Sequence, residues 1–407
     1  MQVFRQLSLD TEVDIKSVGS TFFLDETGML YGCGYNGYGQ LGLGDSEDWS
    51  TLQRVPLEES VKTIVTSSSS TFVLTRSGAL YACGLNDYGQ LGLGDNENRS
   101  TLQRVPVEES VKTVVIGNGS TFIITVSGAL YACGYNWSGL LGLGDEQDRS
   151  TLQMVPVEES VKTVVAASNS IFVITVSGEL YACGNNGSGQ LCLGNNRKRS
   201  VLTRVSVKES VKAIGIGYKC TYILAVDGAL YACGNNESGQ LGLGDSENQS
   251  TPRRVPLEES VKTVVTGNAS VYVITRSGEL YSCGNNDSGQ LGLGDSRNRS
   301  TLRRVPLEES ARTVVTRCNC TYVLTVSGAL YACGDNRLGQ LGLGDNRNRS
   351  TLRRVPVEES AKTVVTSSSS TFVLTHSGTL YACGDNYHGQ LGLGDEDERS
   401  VFTVVTK

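Results

Sequence analysis

The stretch Leu30-Tyr-Gly-Cys-Gly-Tyr-Asn-Gly-Tyr-Gly-Gln-Leu-Gly-Leu-Gly-Asp45 returns as Leu80 to Asp95, and then every 50 residues as far as Leu380 to Asp395. Eight copies take up almost all of the 407 residues, with no insertion or deletion from the second copy onward. Self-similarity at a fixed period of 20 to 50 residues marks a solenoid, a propeller or an array, in which each unit buries its apolar face only against its neighbours. Which of these forms depends on what lies within one unit.

Within one unit, Val111-Lys-Thr-Val-Val115, Thr121-Phe-Ile-Ile-Thr125 and Ala129-Leu-Tyr-Ala-Cys133 are short β-branched or aromatic runs bounded by Ser, Gly and Asn. A fourth run, Thr101-Leu-Gln-Arg-Val-Pro-Val107, carries a proline that suits a sheet edge or a strand end. No 3.6-residue apolar pattern long enough for a helical repeat occurs, and four short strands per unit describe a propeller blade. We therefore expect an all-β protein, a closed β-propeller of eight four-stranded blades forming one domain over residues 1–407. Gln2 to Leu7 and Val401 to Val405 both stand where Thr51 to Val55 stands in the repeat. That overlap predicts a ring closed by overlapping N- and C-terminal strands, which would remove the free edges.

Composition narrows the function. The chain has 48 glycines but only 7 prolines, so the glycines read as turn residues and not as a low-complexity composition. A net charge of −7 disfavours a general nucleic-acid or anionic-membrane binder. No long apolar run and no basic-then-apolar leader occur, so we expect an intracellular protein, cytoplasmic or nuclear. Eight of the 12 cysteines recur at one phase of the repeat, from Cys33 to Cys383, and read as small buried hydrophobes. Gly39-Gln-Leu-Gly-Leu-Gly44 lacks the Lys-Ser/Thr of a phosphate loop and opens no helix, so it reads as a turn. The recurring Glu58-Glu59 pair, beside Lys62, reads as local charge pairing. Cys318-Asn-Cys320 lacks a second ligand pair, and we expect no metal and no cofactor.

The pattern Gly-x-Leu-Tyr-x-Cys-Gly-x-Asn-x-x-Gly-Gln-Leu-Gly-Leu-Gly-Asp, complete from Gly78 to Asp95, resembles the regulator of chromosome condensation repeat. The resemblance spans essentially the whole chain. It implies a β-propeller, usually seven-bladed, that serves as an exchange factor for a Ran-type GTPase, a chromatin binder or a protein-interaction module. This chain departs from that pattern in several ways. It has eight repeats, Cys at the common Trp position, Ser or Cys at Ser70 and Cys220 where His is frequent, and no wedge-like insertion.

The copies differ mainly in two loops. Around the turn Asn, large side chains gather in copies eight, one, two and three: Tyr387, His388, Tyr35, Tyr38, Leu85, Tyr88, Tyr135 and Trp137. A closed ring would join them into a crescent, and clustered exposed aromatics are the material of a binding hot spot. After the Gly-Asp turn, Arg197, Lys198, Arg199, Arg297, Arg299, Arg347 and Arg349 form a candidate basic sector. We read the protein as a monomeric, non-catalytic interaction scaffold whose partner is a protein, a small GTPase or an acidic protein, and not nucleic acid or membrane. The competing readings are an exchange factor for a Ran-type GTPase and a self-associating architectural protein.

Overall fold

The computed structural model describes residues 13–14, 20–25, 27–167, 169–367 and 369–405. These form eight four-stranded antiparallel sheets, each of four consecutive strands in the order first to fourth. Blade 2 is representative: Val61–Thr66, Ser70–Thr75, Leu80–Gly84 and Arg99–Arg104. Blade 1 starts at Val13–Asp14, and blade 8 runs from Ala361–Thr366 to Arg399–Val404. Among the described residues the single helical element is the short 3-10 turn Trp137–Gly139, and no helix is long and apolar enough to cross a membrane.

Burial follows strand rank. The second strand is buried at every position, as in Ser70–Thr75, because neighbouring blades cover both of its faces. A continuous apolar run such as Phe72-Val-Leu74 is what that double burial requires. The fourth strand is half exposed and carries Arg99, Thr101 and Gln103, polar residues that protect an outer edge. Pro252 lies within the fourth strand of blade 5, Gln249–Arg254, a rank at which a missing amide is tolerated. The fourth run of the sequence unit therefore belongs to the blade before it: Arg99–Arg104 completes the sheet begun at Val61, and Pro106 falls in the connection that follows.

The cores lie between blades. Phe72, Leu74, Leu80 and Leu91 of blade 2 pack with Val111, Val114 and Ile123 of blade 3. Polar contacts join each seam. Gly44 N donates to Ser100 O at 2.9 Å, and the same bond recurs at Gly94–Ser150, Gly144–Ser200, Gly194–Ser250, Gly244–Ser300, Gly294–Ser350 and Gly344–Ser400. The third-strand cysteine donates its thiol to the preceding blade's loop, as in Cys83 Sγ to Gln40 O at 3.5 Å and Cys333 Sγ to Gln290 O at 3.3 Å. Burial pushes the Cys33 and Cys133 thiols up to about 12, so they stay protonated donors.

The ring closes by this same contact. Gly394 N reaches Ser50 O at 3.3 Å, Thr21 Oγ1 donates to Gln390 O at 2.8 Å, and Phe23 and Cys33 share a core with Phe372 and Leu391. Val404 and Thr403 pair with Tyr381 and Ala382 of their own blade, so the last strand does not complete blade 1. The expected partner segment, Gln2 to Leu7, lies outside the described residues. Among the described residues the ring is closed by the same side-to-side packing as the other seams.

One seam is covalent. Cys192, standing where the other loops have glycine, is disulfide-bonded to Cys233 of blade 5, with Cα atoms 5.8 Å apart. This corrects the reading of Cys233 as an inert buried thiol. The glycine it replaces faces that cysteine in the other seams: a Cβ on Gly92 would lie 3.1 Å from Cys133 Sγ. The remaining ten cysteines are free, and only Cys318 is exposed. Ellman titration should find one fast thiol in the native protein, and in the denatured protein ten without reductant and 12 with it.

Gly89 shows what the seam demands. Its φ is +74°, and a Cβ there would stand 2.3 Å from Ser150 Cα of the next blade. Gly89→Ala should destabilise the fold by about 3 kcal/mol, from left-handed strain plus overpacking, read as a lowered melting temperature.

Candidate interaction surface

Antiparallel order places the turn between the first and second strands and the long loop between the third and fourth strands on one face of the disc. The long loop is built on a buried asparagine. In blade 1, Asn36 Oδ1 accepts from Leu41 N at 2.8 Å, and its Nδ2 donates to Asp45 O at 3.1 Å and Asp45 Oδ1 at 2.9 Å. Asn36 N in turn donates to Asp48 Oδ1 at 2.8 Å. Gln40 Oε1 accepts from Tyr38 N at 3.0 Å. With both sides of the loop tied down, the variable residues 35, 37 and 38 are held on its outer side.

The large variable side chains are exposed there: Tyr38 by 39%, Tyr88 by 43%, Trp137 by 53% and Tyr387 by 74%. Tyr35, Leu85, Tyr135 and His388 are half-buried. Two ring clusters span blade seams. At the seam of blades 8 and 1, Tyr35 lies 5.1 Å from His388, which lies 4.9 Å from Tyr387, and Tyr38 is 6.0 Å from Tyr35. At the seam of blades 2 and 3, Tyr88 and Tyr135 are 4.8 Å apart. In both, position 35 of one blade meets position 38 of the blade before it, and Leu85 stands in that relation to Tyr38. Beside the second cluster is a cleft of about 340 Å³ lined by Ser67 to Ser70, Leu85, Tyr88, Ile116 and Tyr135.

Two groups distinguish these loops from the polar ones. In blades 4 and 6, the Gln190 and Gln290 amides donate to Asn185 and Asn285 at the position of Tyr35. With Tyr35 in that place, Gln40 Nε2 is buried without a hydrogen-bond partner. Such an orphan costs about 1–3 kcal/mol. Charge is the second group. Burial first, and then Tyr38 and Asp48, push the Tyr35 phenol above its ordinary value; burial, Tyr88 and Asp148 do the same to Tyr135.

Four of the seven residues of the basic sector are already paired, three of them within their own loops. Arg299 and Arg349 clasp Asp295 and Asp345 at 2.6 Å, as Arg99, Arg149 and Arg399 clasp Asp95, Asp145 and Asp395. The Arg297 amide and the Arg299 guanidinium hold Asp295 below the usual carboxylate range. Lys198 pairs with Glu146 of blade 3. Blade 4 has Asn195 in place of the aspartate, so Arg199 meets an amide oxygen at 3.3 Å, while Arg197, Arg297 and Arg347 are exposed. The Asp–Arg clasp went unnoticed in the sequence although its four-residue spacing was visible. Glu59 also has other partners than the expected Lys62, namely Ser77 Oγ at 2.6 Å and Tyr81 OH at 2.7 Å on the opposite face.

Eight four-stranded blades closed into a ring make the chain a β-propeller. It belongs to the regulator of chromosome condensation (RCC1) repeat family, whose models match residues 27–74, 77–124, 227–274, 277–322 and 327–374, with a second model at 61–90, 261–290 and 361–390. No curated protein sequence matches it. Among solved structures it is similar to human WBSCR16, at 20% identity and a TM-score of 0.66, covering 83% of this chain and 96% of that one. Yeast RCC1 (Prp20), solved bound to Kap60, is 21% identical with a TM-score of 0.64, covering 80% of this chain and 83% of that one. Prp20p from Saccharomyces cerevisiae, described with its binding to Gsp1p and histones, gives 21% and 0.63, covering 80% and 85%. At these identities the likeness speaks to the fold alone.

Proposed function

We propose that this propeller is a non-catalytic platform that binds a protein through the crescent on blades 8, 1, 2 and 3. The carrying observation is the pair of seam-spanning ring clusters, each joining half-buried rings to exposed ones, on loops whose backbones are locked by Asn36 and its counterparts. Aromatic side chains on a rigid base lose little entropy on binding and supply most hot-spot energy. The solved yeast relatives, one bound to Kap60 and the other described with its binding to Gsp1p and histones, support a protein as the kind of partner.

Replacing Tyr38, Tyr88 and Trp137 together by Ala removes exposed side chains, so the melting temperature should change little. Capture of the native partner from a lysate of the source cell, read by mass spectrometry, should fall by more than tenfold. Capture that survives the triple change would overturn the reading. Nucleotide release from a Ran-type GTPase tests the competing exchange activity, and we expect no acceleration above background.

A further inference from the structure

The crescent is acidic as well as aromatic. Loops 385–399, 35–49, 85–99 and 135–149 together hold fourteen carboxylates and three arginines, and each of those arginines is already bound to an aspartate of its own loop. The loops of the other four blades, 185–199, 235–249, 285–299 and 335–349, hold seven carboxylates and eight cations. An acidic partner would be repelled where the aromatics are, and a nucleic acid or anionic membrane would be too.

The position of Asp48 separates folding from function. Its Oδ1 holds Asn36 N at 2.8 Å, and Asp148 Oδ1 holds Asn136 N at 2.7 Å. In blades 2, 5, 6 and 7 the same bond, at 2.7 to 2.9 Å, is made by the neutral amide oxygens of Asn98, Asn248, Asn298 and Asn348. A neutral amide oxygen therefore serves the loop there as well as a carboxylate does, and blade 4, with Lys198 at the position, builds the same loop without that bond. Aspartate occupies the position in the two blades that carry Tyr35 and Tyr135, and in no other. At the first of these the carboxylate also accepts from His388 Nδ1 at 2.9 Å, within the ring cluster. Neutral, electron-rich phenol faces with a carboxylate alongside are a receptor for a planar cation.

We propose that the crescent recognises an arginine-bearing, cationic peptide segment of its partner, with the Tyr35–Asp48 and Tyr135–Asp148 pairs each taking one guanidinium; this rests on the platform reading above. Arginine is favoured over lysine because its planar, weakly hydrated head stacks on a ring while forking to a carboxylate. Binding two such groups on rigid loops two blades apart requires an extended segment long enough to cross blade 2.

The test uses a fluorescein-labelled arginine–glycine repeat peptide, with lysine–glycine and glutamate–glycine peptides as controls, read by anisotropy on the full chain. The arginine peptide should bind tightest, weaken as salt rises, and lose roughly five- to tenfold in affinity for the double variant Asp48→Asn with Asp148→Asn. Four other blades already carry asparagine there, so that variant should melt like the parent. Tyr35→Leu with Tyr135→Leu, which copies Leu85 of blade 2, should produce a similar loss. Equal affinity of the arginine peptide for parent and asparagine variant, or preference for the glutamate peptide, overturns the proposal. If the native partner depends on Tyr38, Tyr88 and Trp137 but not on Asp48 and Asp148, the platform stands and the cationic ligand falls.

Discussion

The structure depends on the seam between neighbouring blades, where one blade's Gly-rich loop lies on the next blade's outer strand. Three things meet there: an amide-to-carbonyl bond of the Gly44–Ser100 kind, a thiol reaching a loop carbonyl, and a shared apolar core. Each is modest alone. An intramolecular hydrogen bond contributes about 1 kcal/mol net, and a buried Phe or Leu about 2 kcal/mol. Eightfold repetition around a closed path makes them cooperative, because no blade can leave without breaking two seams.

The hydroxyl that meets a loop carbonyl comes from either side of the seam. In blades 2 and 4, with Phe72 and Phe172, the loop carbonyls of Gln90 and Gln190 receive a hydroxyl from Thr121 and Thr221 of the next blade. In blade 5, Tyr222 supplies the hydroxyl to Gln240 O from within the blade, and the following residue of that kind is the apolar Val271. In these three blades each loop carbonyl receives one hydroxyl, and the side that provides it changes. The buried tyrosine is thereby satisfied, as a phenol in a dry core must be.

The repeat made blade number, strand content and all-β class legible, since a unit that buries its apolar face only against copies of itself has few ways to close. It hid the blade boundaries, because a periodic string has no starting point and the Pro-containing run fits either side. Ring closure was legible as a fact, and among the described residues it is made by side-to-side packing: the outer strand of blade 8 stays in its own sheet, and Gly394 does what Gly44 does. The aromatic crescent could be read from the variable positions once copies eight and one were taken as neighbours. Its Asp48 and Asp148 could not, because only the asparagines of the other blades, making the same bond, reveal the charge as surplus to the loop. Cys192 stood out in the sequence as a break in the glycine pattern, but its partner 41 residues away emerges only when the seam brings the two together.

The disulfide at the seam of blades 4 and 5 breaks the symmetry of an otherwise uniform wheel. Seven seams are already crossed by the main chain running from one blade to the next, and among the described residues the eighth, between the last blade and the first, is crossed by none. A sulfur bridge reinforces a joint on the far side of the circle from that gap. Like a bracelet, the wheel has its clasp opposite its strongest link, and Tyr35, His388 and Tyr387 sit over that clasp.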